Sequence, residues 1–248
     1  MNDFVSFGVF DKAADVEFDR RFLPHWFQPA VATFITFRTA DSMPQEVVEK
    51  WKTVLREWLA RRGVVLRTDE KLPSAEQLQM QIDERGRRGE SAAHGGASGH
   101  TGGTAERSQV VGDYIKLRDS MWQGFLDECH GACVLRSREL ATIVLDSLKH
   151  FDGERYDLDS AIIMPNHVHL IAQFLPPANC RGQCESWLHY TAHQINKRLG
   201  SKGAFWQSEP FDHLIRSEEQ FLYFRKYIAQ NGINAKLPES QYLYWSRQ

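Results

Sequence analysis

The sequence lacks a hydrophobic run long enough to cross a membrane, because no apolar stretch reaches the roughly 20 residues that a spanning helix requires. It also lacks the basic start and long apolar segment of a secretory signal, since it begins MNDFVSFGVFDKAAD. Cysteine is scarce, with four residues in 248, which argues against a secreted disulfide framework. These absences predict a cytoplasmic protein with no membrane partner.

A large excess of basic residues is missing as well. The net charge is −2, which argues against sequence-blind nucleic-acid binding, since such binding depends on neutralising phosphates. The distribution of charge matters more than its sum. Basic residues outnumber acidic ones between 181 and 236, so the C-terminal part is mildly basic and the rest is acidic.

The chain contains a series of patterned segments instead. β-branched and aromatic residues over 31–39 predict a first strand, and the segment 42–63 predicts a helix that Ser42 caps and Gly63 ends. The same reasoning predicts strands over 156–164, 167–174 and 203–215, and helices over 113–131, 137–151, 185–200 and 217–232.

This order of elements predicts a ferredoxin-like (RRM-like) α+β fold, with an antiparallel sheet, helices on one face and an additional C-terminal helix. We assign residues 1–30 to an N-terminal extension, 31–237 to one domain and 238–248 to a C-terminal tail. Within the domain, we expect residues 71–108 to form a disordered insertion. The stretch GRRGESAAHGGASGHTGGT in this segment holds seven of the 17 glycines and no large apolar residue.

The segment MPNHVHLIAQF, over 164–174, predicts a strand whose two faces differ. On it, Val168, Leu170, Ala172 and Phe174 alternate with His167, His169, Ile171 and Gln173. Because side chains alternate across a strand, one face is suited to the core and the other carries two neighbouring imidazoles. We expect the imidazoles to stand on the open face of the sheet.

Two neutral imidazoles at this spacing can share a divalent ion. In the final predicted helix, Tyr227 and Asn231 are four residues apart and therefore share a helix face. A helix beside the sheet could bring the phenol and the amide to the same ion. This set suits phosphoryl transfer, in which an ion polarises the phosphate and Tyr227 attacks as a covalent nucleophile.

Five motifs occur in one order along the chain, and together they resemble a known family. They read MPNHVHL, TAHQIN, FWQ, DHLIR and YIAQNG, and they lie between about Tyr156 and Leu237. The first resembles the signature of the HUH single-strand DNA endonucleases. The whole series resembles the REP-associated tyrosine transposases, with two departures: Asn231-Gly232 replaces the family's Asn-Pro, and the insertion over 71–108 is extra.

This resemblance implies a metal-dependent transposase that cleaves and rejoins hairpin-forming single-stranded DNA through a 5′-phosphotyrosine and a free 3′-hydroxyl. It implies His167 and His169 as ligands of Mg²⁺ or Mn²⁺, Tyr227 as the nucleophile and Asn231 as a third ligand. It also implies that the protein acts as a monomer or a homodimer. The alternative is a domesticated nucleic-acid-binding module that has kept the fold and lost cleavage.

Further residues are candidates for DNA contact. Lys197, Arg198, Lys202 and Arg216 are plausible phosphate contacts, Trp206 could stack on unpaired bases, and His213 belongs to the DHLIR motif. A solvated basic face and a buried tryptophan are the structural alternatives, and the latter is the commoner state for Trp187 and Trp206.

A third function is a zinc-stabilised structural protein. Its thiolate ligands would come from two pairs of cysteines, Cys129 with Cys133 and Cys180 with Cys184. A zinc-protease site at His189 and His193 is excluded, because Tyr190 stands where that motif requires a glutamate.

Overall fold

The computed structural model describes residues 7–11, 13–14, 17–20, 24–67, 70–73, 77–85 and 104–248. The chain divides into two compact units, one of Met1–Ser42 with Leu126–Gln248 and one of Met43–Phe125. No helix among the described residues is both long enough and apolar enough to pass through a membrane.

In chain order the elements are β1 (Glu17–Arg20), β2 (Pro24–Phe27), β3 (Ala32–Arg38), α1 (Gln45–Ala60), α2 (described over 77–85), α3 (Thr104–Asp127), α4 (Arg138–Lys149), β4 (Tyr156–Ile163), β5 (His167–Phe174), α5 (Cys180–Leu199), β6 (Phe211–Leu214), α6 (Glu218–Asn234) and β7 (Leu243–Ser246). Short 3₁₀ helices cover Val134–Arg136 and Glu239–Gln241.

The first unit contains a five-stranded antiparallel sheet in the order β6-β3-β5-β4-β7. Without β7 this is the strand order of the ferredoxin-like arrangement, so the predicted α+β fold class is confirmed. The fifth strand, β7, was not predicted. Residues 238–248 do not form a simple tail, because Leu243–Ser246 pairs with the edge strand β4.

The N-terminal extension also contains structure. Strands β1 and β2 pair as a separate two-stranded sheet. Gly8 forms a bridge with Val31, and its amide donates to the side chain of Gln173 at 2.6 Å. The described part of the extension is therefore attached to the same sheet that carries the histidine strand.

Apolar side chains pack on both faces of the main sheet. One face packs against α4 and α5 and includes Val168 and Leu170, as the alternation along the histidine strand predicts. The other face packs against α6, where Phe34, Ile171 and Ile228 form a second apolar cluster. The prediction that the imidazoles stand on an open face is therefore wrong, because α6 covers the side of the sheet that carries them.

Local signals explain where α5 and α6 begin and end. The side chain of Asn179 accepts a hydrogen bond from the amide of Gly182 at 2.9 Å, and Gly200 ends α5 at φ 64°. Ser217 caps α6 by accepting from the amide of Gln220 at 3.1 Å. The predicted cap of α1 is wrong, since the Ser42 hydroxyl donates to the carbonyl of Thr39 instead.

The second unit is helical and has its own core. Leu55 and Leu59 of α1 are buried with Tyr114 of α3, whose hydroxyl donates to the carbonyl of Pro73 at 3.1 Å. The prediction of disorder over 71–108 is wrong in part, because 77–85 is helical, Leu78 is fully buried there and α3 already begins at Thr104. Its glycine-rich segment, 86–103, lies outside the described residues.

None of the four cysteines forms a disulfide, and their environments argue against zinc. Cys180 and Cys184 lie on the buried side of α5, with their sulfur atoms 3.9 Å apart. The Cys133 thiol donates to the carbonyl of Cys129 at 2.6 Å. Across the part of the chain that the structure describes, no three His, Cys, Asp or Glu side chains form a metal-binding group. The structure gives no support to the four-thiolate site.

Candidate active site

The two histidines of β5 project from the same face of the sheet. Their ring centroids are 4.6 Å apart, and their side chains are 0% and 1% exposed for His167 and His169. The phenyl ring of Phe34, on the neighbouring strand β3, stacks on His169 with centroids 5.3 Å apart. The imidazoles are therefore fixed between the sheet and α6 rather than exposed to solvent.

Helix α6 brings Tyr227 to the same place. The Tyr227 hydroxyl lies 3.4 Å from Nε2 of His169, and the two ring centroids are 5.3 Å apart. Phe224, one turn earlier on the helix, stacks on Phe34 at 4.3 Å. The meeting of phenol and imidazole expected from the sequence is present, and it occurs within a single chain.

A charged contact on β4 also fixes the position of α6. Nε of Arg225 lies 3.4 Å from Oδ1 of the buried Asp159. Arg225 also donates to the backbone carbonyl of Arg247, whose own amide donates to the carbonyl of Asp159. The C-terminal strand thus contributes to holding the helix that carries Tyr227.

Asn231 lies one helical turn beyond Tyr227 and is fully buried. Neither its Oδ1 nor its Nδ2 forms a hydrogen bond of normal geometry with the described residues, although burial lowers the pKa of His167 and the nearby Asn231 amide partly opposes that lowering. A buried amide without such a bond is costly. The position therefore suits an amide that takes a ligand.

The residue after Asn231 explains one departure from the family pattern. The ring of Tyr242 lies so close to Gly232 that a Cβ atom there would clash with it. Glycine at this position permits the C-terminal segment to pack against the end of α6. The family's proline would not leave the same space.

Two residues that were not singled out in the sequence orient the imidazoles. Oδ1 of Asn166 lies 2.8 Å from Nδ1 of His167, and Nδ2 of Asn166 donates to the carbonyl of His130 at 3.0 Å. On the other ring, the Thr36 hydroxyl lies 2.7 Å from Nδ1 of His169. The carbonyl of His130 sets the orientation of the Asn166 amide, so Nδ1 of His167 donates and Nε2 keeps its lone pair.

Burial determines the protonation state of both rings. It lowers the pKa of His167 to about 3, with the nearby charge of Arg38 acting in the same direction. It also lowers the pKa of His169 well below its ordinary value, and a charge on His167 would lower it further. Both imidazoles are therefore neutral near pH 7, which is the form that binds metal ions.

The residues present fit a divalent ion. Nε2 of His167 is buried and forms no hydrogen bond of normal geometry with the described residues, and the same holds for the Asn231 amide. An imidazole nitrogen and an amide oxygen with free lone pairs are suitable ligands for Mn²⁺, and the oxygen also suits Mg²⁺. The set consists of two imidazoles and one amide, so it is not a cluster of three His, Cys, Asp or Glu side chains.

The candidate DNA contacts differ in how far they are exposed to solvent. Lys197, Arg198, Lys202 and Arg216 are all exposed, and Arg198 forms an ion pair with Glu139. Base stacking by Trp206 is not supported, because its ring is buried against Phe37 and its indole N–H donates to Thr191 at 2.8 Å. His213 is half-buried and contacts Gln220 at 3.0 Å, so it links β6 to α6.

Comparison with known proteins gives little more. No family model matches the chain, and no curated protein matches it. Among solved structures, a REP-associated tyrosine transposase bound to a REP hairpin is similar, at 20% identity and a TM-score of 0.32. The match spans 41% of this chain and 59% of that transposase. At this level the similarity does not establish a shared activity.

Proposed function

We propose that this protein is a tyrosine endonuclease and transposase that acts on hairpin-forming single-stranded DNA. One observation carries the proposal: the Tyr227 hydroxyl lies 3.4 Å from Nε2 of His169 in a buried site. The neighbouring groups, His167 and Asn231, carry polar atoms with no hydrogen-bond partner among the described residues. Metal-dependent covalent phosphoryl transfer requires a nucleophile next to a metal ion, and a phenol beside a candidate metal site provides this pair.

The reaction would be an exchange of phosphate esters. The oxygen of Tyr227 attacks the phosphorus of a phosphodiester, the phenol loses its proton, and a P–O bond to tyrosine forms. The bond from phosphorus to the 3′-oxygen breaks, and that oxygen gains a proton as a free hydroxyl. One ester bond replaces another, so a second 3′-hydroxyl can reverse the step and rejoin DNA without an external energy source.

His167, His169 and Asn231 would hold Mg²⁺ or Mn²⁺. When bound, such an ion polarises the phosphate and neutralises charge in the transition state. The protein's own side chains hold the metal ligands and the nucleophile in position. Asn166 and Thr36 fix the two rings, and Phe224 and Arg225 fix the helix that presents Tyr227. A nucleophile held in this way needs little reorganisation before attack.

The substrate class rests on the sequence motifs and on surface charge. The series MPNHVHL, TAHQIN, FWQ, DHLIR and YIAQNG resembles transposases of hairpin DNA. The exposed residues Lys197, Lys202 and Arg216 add positive charge at and after the end of α5. Phosphate contacts of this kind position a nucleic acid without reading its sequence.

The test is formation of a covalent adduct. The protein is incubated with labelled hairpin oligonucleotides and Mn²⁺, and the products are separated on a denaturing gel. We expect an adduct with the parent protein and none with Tyr227→Phe, which lacks the attacking oxygen. Tyr223→Phe is the matched control, because Tyr223 lies on the same helix and is 60% exposed.

An adduct that forms equally with Tyr227→Phe would overturn the assignment of the nucleophile. Tight hairpin binding by both proteins with no adduct in either would instead support the nucleic-acid-binding module. Adding EDTA to the parent reaction tests the metal requirement separately, and we expect it to abolish the adduct while the protein stays folded.

A further inference from the structure

Arg38 is the last residue of β3 and lies directly opposite His167 in the register of β3 and β5. Two residues earlier, Thr36 lies opposite His169 and contacts its ring. Because side chains alternate along a strand, Thr36 and Arg38 leave β3 on the same face. The guanidinium of Arg38 is therefore directed to the side of the sheet that carries the imidazoles.

The backbone around Arg38 is fixed. Its carbonyl accepts a hydrogen bond from the amide of Gln207 at 2.9 Å. The amide of the next residue, Thr39, donates to the carbonyl of Asn166 at 2.8 Å. Asn166 also contacts His167, so the end of β3 and the first histidine are held by the same residue. The position of Arg38 relative to the site is thus set by hydrogen bonds on both sides.

The charge of Arg38 reaches the site. Burial lowers the pKa of Arg38 to about 9, so the side chain remains a cation at neutral pH while losing much of its hydration. The register of β3 and β5 places Arg38 directly opposite His167, so this charge lies on the strand next to the candidate ligand. A partly desolvated guanidinium gains more from an anionic ligand than an exposed one does.

The other groups of the site supply no charge. His167, His169, Asn231 and Tyr227 are two neutral imidazoles, an amide and a phenol. A phosphodiester brings one negative charge, and attack by a phenol oxygen adds to the charge on the phosphoryl oxygens. A planar guanidinium matches two such oxygens with parallel N–H donors. Arg38 therefore brings a positive charge to the face of the sheet that carries the imidazoles, with donors that match phosphoryl oxygens.

We propose that Arg38 is a catalytic residue that binds a non-bridging oxygen of the phosphate attacked by Tyr227. This rests on the proposed function, since it assigns a further role within the same reaction. Its distinct content is the class of group bound: an oxyanion of a phosphodiester, held by a side chain of β3 that none of the five sequence motifs contains.

The first experiment measures the rate of adduct formation with hairpin oligonucleotides. We expect Arg38→Met to slow it about 100-fold, as removal of one transition-state donor commonly does. The rate of adduct formation by Arg38→Lys should lie between those of the parent and Arg38→Met, because lysine keeps the charge but lacks the paired donors. Arg61→Met is the control, since Arg61 is exposed just after the end of α1 and pairs with Glu57. Circular dichroism and thermal midpoints establish that each variant is folded.

The second experiment separates anion binding from a structural role. The cleavage position is found by sequencing the oligonucleotide trapped on Tyr227, and a neutral methylphosphonate is placed there. If Arg38 balances the phosphate charge, Arg38→Met recovers most of its lost rate on the methylphosphonate relative to the parent. An equal loss on both substrates, or no loss on either, overturns the proposal.

A third measurement does not depend on cleavage. Inorganic phosphate is titrated into the Mg²⁺-loaded protein, and binding is followed by NMR shifts of the backbone amides of residues 36–40. We expect Arg38→Met to weaken phosphate binding about 10-fold, in line with loss of a charge-assisted pair of hydrogen bonds. If the parent protein forms no adduct, the proposed function fails. Equal phosphate affinity in parent and variant then overturns the role of Arg38 separately.

Discussion

The hydroxyl of Thr36 lies 2.7 Å from Nδ1 of His169, on the side of the ring opposite the phenol of Tyr227. This contact links strand β3 to the ring that faces the candidate nucleophile. A hydrogen bond to one imidazole nitrogen decides which nitrogen is free to bind a ligand. Thr36 therefore supports the site by orienting the ring of His169.

We expect Thr36→Val to lower Mn²⁺ affinity about 10- to 100-fold, the usual effect of losing a partner that orients a metal-binding histidine. Valine has nearly the same shape, so packing is retained. Thr33→Val is the matched control, because Thr33 is buried on the same strand but faces the opposite side of the sheet. Calorimetric titration with Mn²⁺ measures both. Equal affinities in the two variants would show that the Thr36 contact does not orient the ring.

The pH dependence of stability follows from the buried imidazole of His167, whose pKa falls to about 3 in the folded protein. In the unfolded chain the ordinary value is about 6.5. Above pH 6.5 both states are neutral and His167 has no effect. Below it only the unfolded state gains the proton, so the free energy of unfolding falls by about 1.4 kcal/mol per pH unit until pH 3.

Urea unfolding in EDTA at pH 6.5 and 5.0 measures this effect. We expect the parent to lose about 2 kcal/mol more than His167→Gln over this interval, because the variant has no imidazole to protonate. His193→Gln should behave like the parent, since His193 is exposed. A His167→Gln variant that loses as much stability as the parent would contradict the prediction.

Gly232 tests the packing at the end of α6. The ring of Tyr242 fills the space that a side chain would need, so Gly232→Ala should lower the free energy of unfolding by about 1–3 kcal/mol through overpacking. Gly124→Ala is the matched control, because Gly124 is exposed in α3 with no atom within 4 Å of a new Cβ. That change should raise stability by up to about 1 kcal/mol. A stable Gly232→Ala protein would mean that the C-terminal segment can move away from α6.

Surface charge and buried aromatics should have separable effects on DNA binding. We expect Lys202→Ala to weaken hairpin binding and to reduce the slope of log affinity against log salt by about 1, as the loss of one phosphate contact does. Trp206→Phe should leave that slope unchanged and lower stability instead, because its indole is buried and hydrogen-bonded to Thr191. Fluorescence anisotropy at several salt concentrations gives both slopes. A reduced hairpin affinity in a fully stable Trp206→Phe protein would instead indicate that Trp206 contacts DNA.

Local patterns in the sequence predicted β3, β4, β5 and β6 and grouped the candidate site residues on shared faces, but they did not predict β1, β2, β7 or the helix α2. Alternation along β5 placed His167 and His169 on one face, and helical spacing placed Tyr227 and Asn231 together, because local periodicity decides which side chains share a surface. Ser217 marked the start of α6 and Gly200 the end of α5 for the same local reason, whereas α5 begins at Cys180, five residues before the predicted start. The fold class followed from the order of these elements.

The surroundings of the two histidines depend on how distant segments pack together. Arg38 and Asn166 contribute through strand register and a backbone contact to His130, which involve residues far apart in sequence. The burial of both rings results from α6 lying over the sheet, and the pairing of β7 with β4 carries the chain back to Asp159 and Arg225. For Trp206 the sequence left base stacking and burial as alternatives, and in the structure its ring is buried. These features depend on contacts between distant segments, which no local pattern of residues encodes.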